Sequence, residues 1–204
     1  MKSLITTTWE RPGDALIQDI TYVLAAILSK SNCGKMPRLA VLAIYQSLIH
    51  ETARFHGKML RARDGFPSPR NRDGRISDVE ILSTEGKLFE AAIVHHGVPI
   101  CMDRLKKAER DFKTSSVDRV YLLSTLETPA AEMRRIAQEV ERISSAHGFE
   151  LIVDGVVPTI SYYLRILDDP QIFTKCFVDF LEDDKTMDSK QKQHWNELIL
   201  SHCK

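Results

Sequence analysis

The sequence predicts an α/β protein built on a mixed sheet, and two observations carry that reading. Residues 76–100 form a hairpin pattern: Ile76, Val79, Ile81 and Leu82 alternate with Asp78 and Glu80, and the turn Thr84-Glu85-Gly86-Lys87 offers a glycine where a positive φ is needed. The second strand, Leu88 to His96, is apolar apart from Glu90 and its end, as expected for a central strand buried on both faces. Beyond it, strand and helix patterns alternate. Met102–Lys113 reads as a helix, Asp118–Ser124 as a strand, Pro129–His147 as a helix and Phe149–Val153 as a strand, the order of βαβ units with parallel strands.

Ahead of the hairpin, Asp14–Ser29 has apolar residues at helical spacing, with Gly13-Asp14 as its cap. The segment SNCGK breaks that helix, and Pro37 suits the first turn of a second one over about Met36–His56. This second helix is rich enough in Leu, Ile, Ala and Val to be mostly buried, and Gly57 is its expected C-cap. Residues 58–75, KMLRARDGFPSPRNRDGR, are the least regular part of the chain, because Gly65, Pro67, Pro69 and Gly74 oppose regular structure. Past residue 158 the chain reads as three helices, Thr159–Leu167, Pro170–Leu181 and Ser189–His202. The whole is expected to be one domain, with a core over about 35–157 and a helical part over about 158–204.

Lys and Arg total 28 and Asp and Glu total 28, so a basic surface has to be local. No apolar run approaches the roughly 20 residues that span a bilayer, and the N-terminus lacks the apolar stretch of a secretion signal. Cys33, Cys101, Cys176 and Cys203 lie far apart without a CxxC pair, which argues for reduced thiols rather than a disulfide framework or a zinc site. A cytoplasmic protein is expected.

Charged groups in a buried strand need a reason, because an unpaired buried carboxylate costs several kcal/mol. Asp78, Glu80, Glu90, His95 and His96 are therefore the residues to explain. His95 and His96 are adjacent on a strand and point to opposite faces, so they do not readily share one metal ion. Beside the hairpin, Arg61, Arg63, Arg70, Arg72 and Arg75 place five guanidinium groups in the irregular loop. Such a loop suits phosphate contacts and bidentate readout of guanine. The competing reading pairs these arginines with Asp64 and Asp73, and proximity to Asp78 favours DNA. Glu51 is either an auxiliary acid or half of a solvated Glu51–Arg54 pair, with the pair favoured.

The order helix, hairpin, helix, strand, helix, strand resembles the core of the PD-(D/E)XK nuclease superfamily. Within it, GRISDVEILSTEGKLFEA, VHHGVPI, DRVYLLST and HGFELIVDGVVPTISYYLRIL are similar to blocks of type II restriction endonucleases found beside cytosine methyltransferases. The resemblance covers roughly residues 35–170. It implies a restriction-endonuclease-like core and Mg²⁺-dependent phosphodiester hydrolysis. In that chemistry an acid on one strand and an acid-x-lysine triplet on the next hold the ions and the attacking water.

Carried onto this chain, the first acid is Asp78, but the triplet falls at Ile93-Val94-His95. Isoleucine does not ligate Mg²⁺, and histidine is no substitute for a permanently charged lysine. The resemblance thus implies a DNA-binding protein of a restriction-modification or related defence system, with an impaired or lost nuclease centre. The alternative is an active divergent endonuclease. Its catalytic residues are Asp78, Glu90 and His95, its metal ligands Asp78 and Glu90, with Glu90 brought round by a bulge or Glu51 or Glu80 serving instead. Double-stranded DNA is the implied partner, with a homodimer or an active nuclease subunit beside it. Mg²⁺ is the implied cofactor only if the centre is active.

Overall fold

The computed structural model describes residues 13–30, 33–62, 76–185 and 187–202. The chain forms two compact units: Gly57–Val156 is one continuous unit, and the segments on either side of it make the other.

The continuous unit is α/β. Its five strands are β1 (Met59–Ala62), β2 (Val79–Leu82), β3 (Leu88–His95), β4 (Arg119–Ser124) and β5 (Glu150–Gly155), and they lie in chain order across a single sheet. The pairs β1–β2 and β2–β3 are antiparallel, whereas β3–β4 and β4–β5 are parallel, so the sheet is mixed and β3 is its hinge. The hairpin turn is as expected: Gly86 has φ +77°, and the Ser83 N–H donates to the Lys87 carbonyl. The parallel half follows from its connections, α3 (Met102–Phe112) and α4 (Ala130–His147), because parallel neighbours need a crossover.

One face of the sheet and the two helices share a core. Ala91, Val120, Leu122 and Leu151 pack with Leu105, Ala108 and Phe112 of α3 and with Ile136 and Ile143 of α4. The helical residues follow an i, i+3, i+7 stripe on α3 and an i, i+7 pair on α4, which is why these sequences form helices with one buried side. Gly148, at φ +75°, closes α4 in the left-handed conformation expected of a C-cap.

The second unit is helical: α1 (Gly13–Leu28), α2 (Met36–Glu51), α6 (Gln171–Asp183) and α7 (Ser189–His202), with α5 (Val156–Leu164) leading the chain back into it. Helix α2 packs on α6, and α1 packs on α7. On the second pair, Tyr22 stacks on His202 at 4.4 Å between ring centroids, and His202 Nε2 lies 3.2 Å from Asp19 Oδ1. Trp195 of α7 meets Phe177 of α6 edge-on at 5.1 Å, and Tyr45 of α2 lies 6.0 Å from Tyr163 of α5.

Two expectations need correction. The irregular stretch 58–75 contains a strand, β1, paired with β2 from Met59↔Leu82 to Ala62↔Val79. The second helix ends at Glu51 rather than near His56, because Thr52 adopts extended backbone (φ −105°, ψ 134°) and its hydroxyl donates to the Leu48 carbonyl; a 3-10 turn, Ala53–Phe55, follows. Helix α2 belongs to the helical unit, where it packs on α6.

Candidate functional site

The segment before β2 is shaped by Glu80. Its carboxylate is buried, and every direction around it is used. Oε1 accepts from the Ile76 N–H (2.8 Å), the Ser77 N–H (3.3 Å) and the Ser77 hydroxyl (3.2 Å). Oε2 accepts from the Arg61 Nε–H at 2.8 Å and from Arg61 Nη2. A buried carboxylate wrapped in donors avoids the cost of an unsatisfied polar group. Here it also folds residues 76–78 back onto β2 and so determines where Asp78 sits.

Asp78 stands one step beyond the Val79↔Ala92 pair, opposite Ile93. Its N–H donates to the Ala92 carbonyl (3.0 Å), and its Oδ2 accepts from the Val94 N–H (2.9 Å). The side chain therefore takes over a ladder hydrogen bond at the point where β2 begins. Ile93 and His95, alternate residues of β3, share the face that bears the helical core. His95 Nδ1 lies 2.9 Å from Arg104 Nη1, contributed by the first turn of α3.

Around this strand end the loops are tied by hydroxyls. Ser124 Oγ donates to the Val98 carbonyl and accepts from the Leu126 N–H, while Thr125 Oγ1 accepts from the Gly97 N–H at 2.9 Å. His96 Nδ1 sits 3.2 Å from Thr125 Oγ1, so this histidine belongs to the loop scaffold.

Glu90 is placed differently. The β2–β3 ladder is irregular between Ile81 and Leu82, which pair with Glu90 and Leu88 and leave Phe89 as the extra residue. From Glu90 to His95 the pairing with β4 is unbroken, so Glu90 faces the side opposite Ile93 and His95. A bulge is present, but it precedes Glu90 and does not bring it round. Glu90 is buried, and its neighbour in register is Arg119. Burial works against the Arg119 charge, yet the hydrogen bond to Glu150 and the fields of Tyr121, Glu150 and Glu90 outweigh it and push its pKa up.

The other candidate residues are also located. Arg61 lies on β1 and is engaged by Glu80. Arg63, Arg70, Arg72 and Arg75 lie outside the described residues. In the helical unit, Glu51 accepts from the Asp169 N–H at 3.2 Å. A cleft of about 330 Å³ opens beside Arg61, Glu80, Lys87, Ser115 and Ser116, and neither Asp78 nor His95 lines it.

Arg104 is the residue that sequence reasoning missed. It sits among other cations in MDRLKKAERDFK, and only the docking of α3 against β3 distinguishes it.

Magnesium asks for several hard oxygen ligands. Among the described residues no three His, Cys, Asp or Glu side chains group closely enough to hold an ion. One aspartate that already accepts from Val94, flanked by an isoleucine and a histidine, is a poor fit to that requirement. No family model and no curated protein sequence matches the chain.

Proposed function

We propose that this chain is a DNA-binding protein on the restriction-endonuclease plan whose Mg²⁺-dependent nuclease centre is impaired or lost. The observation that carries the reading is the Asp78–Val94 hydrogen bond of 2.9 Å. It sets the aspartate before one strand beside the stretch of the next where an acid-x-lysine triplet would stand, and that stretch is Ile93-Val94-His95. The mixed sheet, antiparallel through β3 and parallel after it, is in keeping with that plan. With Glu90 on the far face of β3, Glu80 bound to Arg61 and Glu85 paired with Lys87 in the turn, Asp78 is the carboxylate left for this task. The partner is double-stranded DNA, with a second copy or an active nuclease subunit completing a cytoplasmic defence system.

Fluorescence anisotropy with a labelled duplex across a salt series tests the binding. The expected result is an affinity that falls linearly, in logarithms, with salt. Plasmid incubated with Mg²⁺ or Mn²⁺ is expected to stay intact. Absence of duplex binding at low salt sinks the nucleic-acid reading. Discrete fragments abolished by Asp78→Ala replace it with the active endonuclease.

A further inference from the structure

We propose that Arg104 is the phosphate-binding cation of this strand end, supplied by α3 in place of the lysine that β3 lacks. The inference rests on the nucleic-acid reading above and names the group that would hold a DNA phosphodiester there.

The argument begins with donors and acceptors. A guanidinium only donates, and it stays charged at any pH a protein survives. With Arg104 Nη1 at 2.9 Å, His95 Nδ1 is therefore the acceptor, and a neutral ring carries its proton on Nε2. His95 in this contact is an orienting group rather than a second cation.

Among the described residues no carboxylate is paired with the charge on Arg104; the side chain has the His95 ring as its hydrogen-bond partner, and its Nε is enclosed without any acceptor. Three other arginines of this unit are paired with carboxylates, Arg61 with Glu80, Arg119 with Glu150, and Arg142 with Glu109 and Glu139, whereas Arg110, Arg134 and Arg135 are exposed to solvent. A half-buried guanidinium with no carboxylate partner among the described residues is suited to an oxyanion, which would complete the site.

Its position agrees with that chemistry. Arg104 meets β3 at His95, the last residue of the strand, where β3 and β4 run parallel and end together at His95↔Ser124. In open α/β sheets ligands settle at the carboxyl ends of such strands. Asp78 bonds to β3 one residue earlier, at Val94, so the aspartate and the Arg104–His95 pair attach to the same end of the strand.

The test uses the full chain and the variants Arg104→Gln and Arg104→Lys. Glutamine keeps a donor for His95 and removes the charge, while lysine keeps a charge. Duplex binding is followed by anisotropy over a salt series, and the His95 ring by ¹H–¹⁵N NMR during titration with inorganic phosphate. Wild-type protein is expected to show an unprotonated Nδ1 and phosphate-dependent shifts of the His95 ring. In Arg104→Gln those shifts should vanish, duplex affinity should fall about tenfold, and the salt slope should drop by about one unit, with Arg104→Lys retaining the slope.

An unchanged slope and affinity in a folded Arg104→Gln protein overturns the proposal and leaves DNA binding standing. Failure of the wild type to bind duplex removes the nucleic-acid reading. The phosphate titration then decides alone: shifts lost in Arg104→Gln uphold the anion site, and a ring indifferent to phosphate in the wild type overturns it.

Discussion

Glu80 and Asp78 lie two residues apart and do different work, which substitutions separate. Arg61 is 42% exposed at its side chain whereas Glu80 is 1% exposed, so their Coulomb attraction is partly screened and the larger effect lies in the donors that the buried carboxylate needs. Arg61→Ala removes two of those donors and should lower stability by about 2 kcal/mol, read as a shifted urea midpoint at unchanged slope. If stability is unchanged and only duplex affinity falls, Arg61 is a DNA contact after all. Asp78→Asn keeps an oxygen for the Val94 N–H and should leave the midpoint within about 0.5 kcal/mol of wild type, whereas Asp78→Ala orphans that N–H at a cost of about 1 kcal/mol. At this scale the site was partly legible. The two-residue period of a strand brings Ile93 and His95 to one face and turns Glu90 away, and both follow from the letters alone. Arg104 was not legible, because a cation in a charged helix carries no mark until the helix docks.

Elements were read well wherever a local signal was strong. The hairpin glycine, the α3 stripe and the glycine closing α4 each left such a signal, and each feature is present. Strand β1 left none: MLRA is four residues long, holds no β-branched or aromatic residue, and exists because β2 offers it a ladder. The end of α2 was misplaced for a related reason. Gly57 looks like a helix cap, but its φ of +73° serves the entry into β1, five residues after Thr52 has already left the helix. Two glycines therefore differ in a way that can be measured. Gly148→Ala places a methyl where nothing lies within 4 Å, so its cost is the left-handed backbone alone, about 1 kcal/mol. Gly57→Ala has the same backbone penalty and brings its Cβ to 3.1 Å from Thr84 Cγ2, so it should cost more, about 1.5 to 2.5 kcal/mol. Equal midpoints for the two variants would mean that Thr84 moves aside freely.

For the molecule as a whole, a net charge of zero conceals a pH dependence that local pairs create. Arg142 on α4 reaches Glu109 on α3 (2.8 Å) and Glu139 on its own helix (2.9 Å), and His147 Nε2 lies 2.9 Å from Glu109. The hydrogen bond from Arg142 first, and that from His147 second, hold the Glu109 carboxyl below its ordinary value of 4.5; the Arg142 bond does the same for Glu139. A carboxyl whose folded pKa is depressed contributes stability that is complete above its unfolded pKa. That contribution is lost as pH falls through the folded value. Arg142→Ala should thus be less stable than wild type at neutral pH. The gap should narrow below about pH 4.5, where unfolded carboxyls take up protons, and close once the folded carboxyls are protonated too. Because Arg142 is exposed and the carboxylates it meets are only half-buried, added salt should shrink the gap at neutral pH as well. Urea midpoints of both proteins, taken from neutral to acid pH at low and high salt, provide the check. A gap that ignores both pH and salt would assign Arg142 a packing role in joining α3 to α4, and would move the origin of the acid limb to carboxylates elsewhere in the chain.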